Sequence, residues 1–353
     1  LDNSRLLLTG ASGFLGRILH AELMRHSDVS TLGRNAGNNL VVDLATECPT
    51  LSTPFDWVVH NAGKAHTIPR TEPEKQAFLD INYHGTLRLL EAIDRAGHWP
   101  RCFVFISTVA VYGLDEGIDL PETTPLLAQT PYAQSKLAAE QAIQEWGDRR
   151  GVPVVILRLP LVVGPHPPGN LHKMSEAIKK GRYIRIHHNQ ARKSAVNAED
   201  VAQLIPSLIG KSGIYHLTDG AHPTFESIET AMAQALQKTL HWSLPLSLLR
   251  ACARLGDYVP GCPLDTAALR KITASLTFND AKARAELGWN PRPVLPVLAD
   301  PATWNLPLAT HDPLATHDPW PPTTLGHPRP LATPDPWPPP TPKGEYIRKM
   351  DNA

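Results

Sequence analysis

Tyr132 and Lys136 stand four residues apart in Thr130-Pro131-Tyr132-Ala133-Gln134-Ser135-Lys136, which places a phenol and an ammonium on one face if the stretch is helical. The flanking residues say that it is. Thr130 suits an N-cap, Pro131 fits the first helical position, and Leu137-Ala138-Ala139-Glu140 continues with strong helix formers. Such a pair can move a proton at neutral pH if the phenolate, with a reference pKa near ~10, is stabilised by roughly 4 kcal/mol. A lysine at roughly 7 Å in an effective dielectric of about 20 contributes only about 2.4 kcal/mol. A second positive charge is needed, and an oxidised nicotinamide ring would supply it. The spacing alone is common on helices, where it usually means a lysine stem lying over a packed ring, so its meaning depends on the rest of the chain.

Arg5 to Thr9 reads as a short buried strand that runs into Thr9-Gly10-Ala11-Ser12-Gly13-Phe14-Leu15-Gly16 and then a helical pattern to about Arg25. Glycines at 10, 13 and 16 permit a tight turn, close approach to a pyrophosphate and close helix–strand packing, with the helix N-terminus facing the anion. Ser12, Phe14 and Leu15 belong to that cradle. A second strand, Val29 to Leu32, ends in Gly33-Arg34, where an NAD-specific fold usually offers a carboxylate to the ribose hydroxyls. Arg34 suits a 2′-phosphate, which favours NADP, although an ordinary exposed loop arginine fits the position nearly as well. Asp43 and Leu44 follow at the adenine edge. Phe55 to His60 leads into Asn61-Ala62-Gly63, small enough to pack against a cofactor, with His60 and His66 as packed or solvated flanks.

A helix from about Lys75 to Ala96 carries Asn82, which is unfavourable in mid-helix unless its amide bonds something. The strand Cys102 to Ile106 delivers Ser107 and Thr108 to its carboxyl end, where ligands of open parallel sheets lie, and one hydroxyl there can hold a substrate oxygen. After the tyrosine helix come the strand Val154 to Leu159 and Pro160. This alternation predicts an α/β chain with a Rossmann-type doubly wound parallel sheet over residues 1–165. A smaller C-terminal substrate lobe is expected over 166–299, with a strand near 214–217 able to return to the sheet. Arg192-Lys193 in that lobe are placed either to clamp a diphosphate or to lie solvated. From Pro301 the chain is proline-rich, with Leu-Ala-Thr-His-Asp-Pro at 308 and again at 314, so 300–353 reads as a disordered or extended tail.

The 353 residues carry 34 basic and 34 acidic side chains without a charge block, which points to a small-molecule partner and away from nucleic acid or a membrane. No apolar run has transmembrane length, and the start has no signal-peptide layout. The chain opens at Leu1 without an initiating Met, as expected of a fragment or a processed chain. Cys48, Cys102, Cys252 and Cys262 show neither zinc nor redox spacing, so no metal is expected and a reducing cytoplasm fits.

Taken together, these motifs resemble the extended short-chain dehydrogenase/reductase superfamily, in its NAD-dependent epimerase/dehydratase branch of nucleotide-sugar enzymes. The likeness rests on Thr-Gly-x-x-Gly-x-x-Gly at 9–16, Asn82, Ser107-Thr108 with Val111-Tyr112-Gly113, Tyr132-x-x-x-Lys136, Gly164-Pro165 and Glu286-Leu287-Gly288-Trp289-Asn290-Pro291. It covers roughly Arg5 to Pro293. It implies an NAD(P) cofactor, a nucleotide-sugar substrate and hydride transfer at sugar C4. Tyr132 would be the acid/base, Lys136 would grip the nicotinamide ribose and lower the tyrosine pKa, Thr108 would bond the reacting oxygen, and Asn82 would support the lysine. Ser107 and Pro160 fall in the implied cofactor set, and Asn170, Lys193 and Arg192 match positions that touch the substrate diphosphate. Family dehydratases carry an acidic pair after the threonine; Val109 and Ala110 stand there, so dehydration is not expected. Leu161 also replaces a common asparagine. A 4-keto reductase drawing NADPH from solution and a UDP-glucose or UDP-N-acetylglucosamine type 4-epimerase with tightly held NAD both remain open. A non-catalytic cofactor-binding regulator is disfavoured by the intact Thr108, Tyr132 and Lys136. A homodimer is compatible with the resemblance.

Overall fold

The structure is a computed structural model that describes residues 4–258 and 265–305; Cys262 and the proline-rich repeats lie outside the described residues. The first half alternates strand and helix: β1 (Arg5–Thr9), α1 (Phe14–Leu23), β2 (Asp28–Gly33), β3 (Leu40–Val41), β4 (Trp57–His60), α2 (Glu72–Phe78), α3 (Gly85–Ala96), β5 (Cys102–Thr108), β6 (Gly117–Leu120), α4 (Pro131–Arg150) and β7 (Val154–Leu159). The second half holds β8 (Leu161–Val163), α5 (Gly169–Lys179), β9 (Ile184–Ile186), β10 (Ala195–Asn197), α6 (Ala198–Leu204), β11 (Gly213–His216), α7 (Phe225–Ala235), β12 (Trp242–Leu244) and α8 (Leu246–Gly256). It closes with α9 (Thr266–Thr273), β13 (Leu276–Phe278), α10 (Ala281–Leu287), α11 (Val294–Ala299) and α12 (Ala302–Asn305).

Among the described residues, seven strands form one sheet in the order β11-β7-β5-β4-β1-β2-β3, and every pairing in it is parallel. The fold is thus a Rossmann-type α/β sheet. The strand expected near 214–217 is β11, which returns from the C-terminal half to pair with β7. Strand alternation sorts the core into two layers: Leu6, Leu8, Val59, Val104 and Ile106 pack with α1 and α6, while Leu7, Val58, Phe103 and Phe105 pack with α3 and α4. The chain winds outward from β1 to β2 and β3, then returns past β1 to β4. That reversal opens a crevice beyond the carboxyl ends of β1 and β4, where a doubly wound sheet takes its ligand.

Two elements differ from their expected form. The helix read from Lys75 to Ala96 starts earlier, on a capping box in which the Thr71 side chain accepts from the Glu74 amide. It is also interrupted by a π-helical turn, Leu79–His84, that contains Asn82. The extended tail expected from 300 does not begin there: Ala302–Asn305 is helical, and Trp304, 6% exposed, packs with Leu298, Val294 and Met232. Its indole donates to Leu298 O at 2.9 Å, and Thr303 O accepts from the His166 amide at 3.0 Å. A tryptophan finds an apolar wall here, so the proline-rich composition around it does not decide its placement.

Candidate active site

The glycine turn sits on the crevice. Gly10 adopts φ 70°, and a Cβ there would lie 2.7 Å from the backbone of Ala62, so β1 and β4 can approach only because residue 10 lacks a side chain. The Gly13 amide closes the turn on Gly10 O at 3.2 Å. No side chain caps α1 at Gly13, which leaves its first amides directed at the crevice. Ser12, Phe14 and Leu15 lie on this turn, and Gly16 packs under Gly10 O. Asn61 Nδ2 donates to Gly10 O at 3.1 Å, and the Ala62 amide donates to Thr9 Oγ1 at 3.0 Å. Arg34 is exposed at the end of β2. Asp43 Oδ1 accepts from the Ala45 amide at 2.9 Å, and Leu44 is buried against Gly85. Pro160 joins β7 to β8.

Beneath the turn runs a buried polar chain that sequence reading missed. Thr86 Oγ1 gives its proton to Asn82 O at 2.6 Å, so it must accept from His60 Nε2 at 2.8 Å. His60 Nδ1 then accepts from Thr9 Oγ1 at 2.7 Å. Every donor is used once if His60 is neutral, and burial, with the Lys136 charge adding to it, lowers its pKa to about 3. The Asn82 side chain accepts from the Lys64 amide at 2.6 Å and donates to Lys64 O at 3.1 Å and Ser135 Oγ at 2.9 Å. It therefore pins the segment after Gly63 to α4. A Cβ on Gly63 would lie 3.1 Å from Asn82 Oδ1 and 3.7 Å from Lys136 Nζ.

Helix α4 begins as its sequence indicates: Thr130 accepts from the Ala133 amide at 3.2 Å, Pro131 follows, and Gly151 at φ 67° ends it. Tyr132 and Lys136 share its inward face, and the hydroxyl of Thr108 is near enough to the Tyr132 phenol to favour its charged form. Burial pushes the phenol up to about 12, with the Thr108 hydroxyl opposing this. Burial pulls the Lys136 amine down to about 7, against the pull of Glu140. Its Nζ lies 4.1 Å from the centre of the Phe105 ring. Burial thus drives both groups toward their uncharged forms, and an added positive charge would reverse that balance for the tyrosine.

Ser107 points the other way from Thr108, as adjacent strand residues do. Its Oγ contacts Glu140 Oε1. Arg158 Nη2 donates to Glu140 Oε2 at 2.6 Å and Arg158 Nη1 to the Tyr112 hydroxyl at 2.8 Å. Tyr112 in turn lies 2.6 Å from His216 Nε2, whose Nδ1 faces Asn279 O at 3.0 Å. Because a carbonyl only accepts, His216 carries its proton on Nδ1, and Tyr112 donates to Nε2. The signal for this network was a charged residue inside an apolar strand, Val-Val-Ile-Leu-Arg-Leu at 154–159, with Glu140 one turn beyond Lys136.

The lobe residues lie on separate elements. Asn170 is exposed in the first turn of α5. Lys193 Nζ donates to Lys271 O at 2.8 Å and Ala274 O at 2.7 Å, at the end of α9, where burial lowers its pKa. Arg192 Nη1 donates to His222 O at 3.2 Å. Beside Arg192, residues Ile186, His188, Gln190, Leu246 and Ser275 line a cavity of about 310 Å³.

The sequence pattern of the NAD dependent epimerase/dehydratase family matches residues 6–214. The chain is 26% identical over 307 residues to a UDP-glucose 4-epimerase of Vibrio cholerae, covering 81% of this chain and 90% of that one. It is 28% identical over 256 residues to a GDP-6-deoxy-D-mannose reductase of Pseudomonas aeruginosa, covering 67% and 81%. The structure of RMD from Pseudomonas aeruginosa, complexed with NADPH, superposes with a TM-score of 0.64 at 23% identity over 85% of this chain and 99% of that one, a likeness of fold. With the family's sequence pattern matched over residues 6–214, more than half of its length, this chain belongs to the NAD dependent epimerase/dehydratase family.

Proposed function

We propose that this protein is an NAD(P)-dependent oxidoreductase that acts on a nucleotide-diphosphate sugar at C4, as a 4-keto reductase drawing NADPH from solution. The observation that carries the reading is the convergence of Thr108, Tyr132 and Lys136 beside a glycine turn at the reversal point of the sheet. The residues fit a dinucleotide: a Cβ on Gly13 would meet only Gly10 O, at 3.5 Å, so the turn is open on that side, and the first amides of α1 have no side-chain cap. Gly10, Ser12, Gly13, Phe14, Leu15 and Gly16 would hold the pyrophosphate, Arg34 a 2′-phosphate, Asp43 and Leu44 the adenosine, and Asn61, Ala62, Gly63, Lys136 and Pro160 the nicotinamide half. When bound, the nicotinamide supplies a hydride. Tyr132 gives its proton to the C4 oxygen, Thr108 orients that oxygen, and Lys136 stabilises the phenolate left behind. Asn82 acts through the Lys64 backbone and Ser135, by fixing the loop that faces Lys136. Asn170, Arg192 and Lys193 are the groups nearest to a role with the diphosphate, Lys193 after leaving its two carbonyls.

A second reading, a 4-epimerase with tightly held NAD, is favoured by the Vibrio cholerae relative, which aligns over 90% of its length. Val109 and Ala110 provide no acid/base pair for dehydration. Denaturing the purified protein and identifying any released nucleotide separates the readings: stoichiometric NAD indicates the epimerase, and an empty site with NADPH-dependent reduction of a 4-keto sugar nucleotide indicates the reductase. Failure to bind either dinucleotide would overturn both.

A further inference from the structure

A buried ammonium needs a negative charge nearby, and α4 carries one a single turn beyond Lys136. Glu140 is 1% exposed, and its carboxylate is spoken for: Arg158 Nε lies 3.2 Å from both oxygens, Arg158 Nη2 lies 2.6 Å from Oε2, and Ser107 Oγ meets Oε1. Among the described residues no direct ion pair joins Glu140 to Lys136; the pair it makes is with Arg158. Lys136 Nζ instead faces the Phe105 ring and the backbone at Gly63, which is the crevice side. The titratable neighbours of Lys136 are His60 from β4, Tyr132 and Glu140 from α4, and Arg158 from β7 behind the carboxylate. Of these, Glu140 is the anion. An ion pair is not required merely to join helix to sheet, since apolar residues of similar volume serve at least as well in most cores.

We propose that Glu140 is a positioning residue for Lys136, with Arg158 and Ser107 holding its carboxylate back so that it attracts the ammonium without closing on it. Lys136 then keeps its Nζ in the crevice. Without Arg158, Glu140 swings along α4 and captures Lys136; without Glu140, Lys136 loses its counter-charge. The two substitutions therefore act on Lys136 in opposite directions, which loss of packing would not do.

The inference rests on the assignment of Lys136 to the active site, but its test needs neither sugar nor cofactor. Lysines labelled with 13C at Cε are titrated by NMR in the folded apoprotein, with the Lys136 signal assigned through Lys136→Arg. The midpoint, about 7 in the parent protein, is expected to fall by about one to two units in Glu140→Gln, the Coulomb effect of one charge at this range, and to rise in Arg158→Met. Because either single change strands a buried charge, the double variant Glu140→Gln/Arg158→Met, which removes both, provides the folded control and is expected to show a smaller fall, the carboxylate being the group that acts on Lys136 and the guanidinium lying behind it. A Lys136 midpoint unchanged in the double variant, or moving the same way in both single variants, overturns the proposal. Where wild type reduces a 4-keto sugar nucleotide, the alkaline limb of its kcat profile, on which Lys136 loses the charge that stabilises the phenolate, is expected to move to lower pH in the double variant. A shifted midpoint in a protein that turns over no such substrate would uphold the positioning role and count against the proposed function alone.

Discussion

Lys136→Met should make the protein more stable at neutral pH when no cofactor is added, and by an amount that depends on pH. The amine has a pKa of about 7 in the folded site against 10.5 for the free side chain. Between those values the unfolded chain binds a proton that the folded protein does not, so the stability of the parent rises with pH there. Below the folded value both states are protonated, and the whole difference, about 5 kcal/mol for such a shift, opposes folding. Linkage then places the contribution at about 4 kcal/mol against folding at pH 7, about 2 at pH 9 and near zero by pH 11. Methionine keeps the length of the stem and removes the titration, so ionisable groups out of reach of Lys136 cancel in the comparison, and His60, which its charge reaches, is neutral in the folded protein over the range measured. Urea melts of both proteins without cofactor, at intervals from pH 6 to 10, measure the gap directly. The variant should lead at pH 7 and lose about half of its lead by pH 9. A gap that stays flat over this range, or a parent that is the more stable at pH 7, would refute the claim that Lys136 is held against its own desolvation. Confirmation would mean that the site carries a destabilising amine for the sake of chemistry.

Tyr132→Phe should abolish turnover while leaving NAD(P)H affinity within a few-fold, as measured by fluorescence titration, because the hydroxyl serves the proton and not the nucleotide; a tenth of the parent rate would remove Tyr132 from its role. Arg34→Ala should weaken NADP(H) by about ten- to a hundredfold and hardly affect NAD(H), the worth of a charge-assisted bond to the 2′-phosphate; equal losses for the two nucleotides would show that Arg34 does not read it. A chain ending at residue 299 should be less stable than one ending at 305 by about 3 kcal/mol, the scale of losing a buried tryptophan from an apolar cluster. Matching melting temperatures for those two chains would mean that Trp304 contributes no packing.

Features written locally in the sequence were legible. The glycine turn, the Thr130 cap with Pro131, and the strand alternation each depend on neighbours a few residues away, and the structure has them within a residue or two of their expected places. The π-helical turn was not legible, because its cause is spread over the fold. Asn82 is held there by Lys64 and Ser135, while its carbonyl takes Thr86, which His60 engages from β4. In sequence it was only an awkward mid-helix asparagine. Trp304 was likewise hidden by its proline-rich surroundings, since the wall that it packs against comes from Met232, Val294 and Leu298.

Ser107 and Thr108 show where sequence reasoning stops. Both are small hydroxyl residues at the carboxyl end of β5, and nothing in their own stretch ranks one over the other. Strand geometry sends them to opposite faces, but which face is the crevice depends on partners far along the chain. Glu140, 33 residues on, takes Ser107, and Arg158 holds that carboxylate in place from β7. Ser107 thereby gives its proton to Glu140, a carboxylate being able only to accept. Thr108 faces Tyr132 instead. The same carboxylate lies one turn from Lys136, so a single buried acid both engages the wrong hydroxyl and sets the field at the lysine. A substitution at Glu140 would release Ser107 and disturb Lys136 together, and two effects that look independent along the sequence would appear as one in a double-mutant cycle between positions 107 and 136.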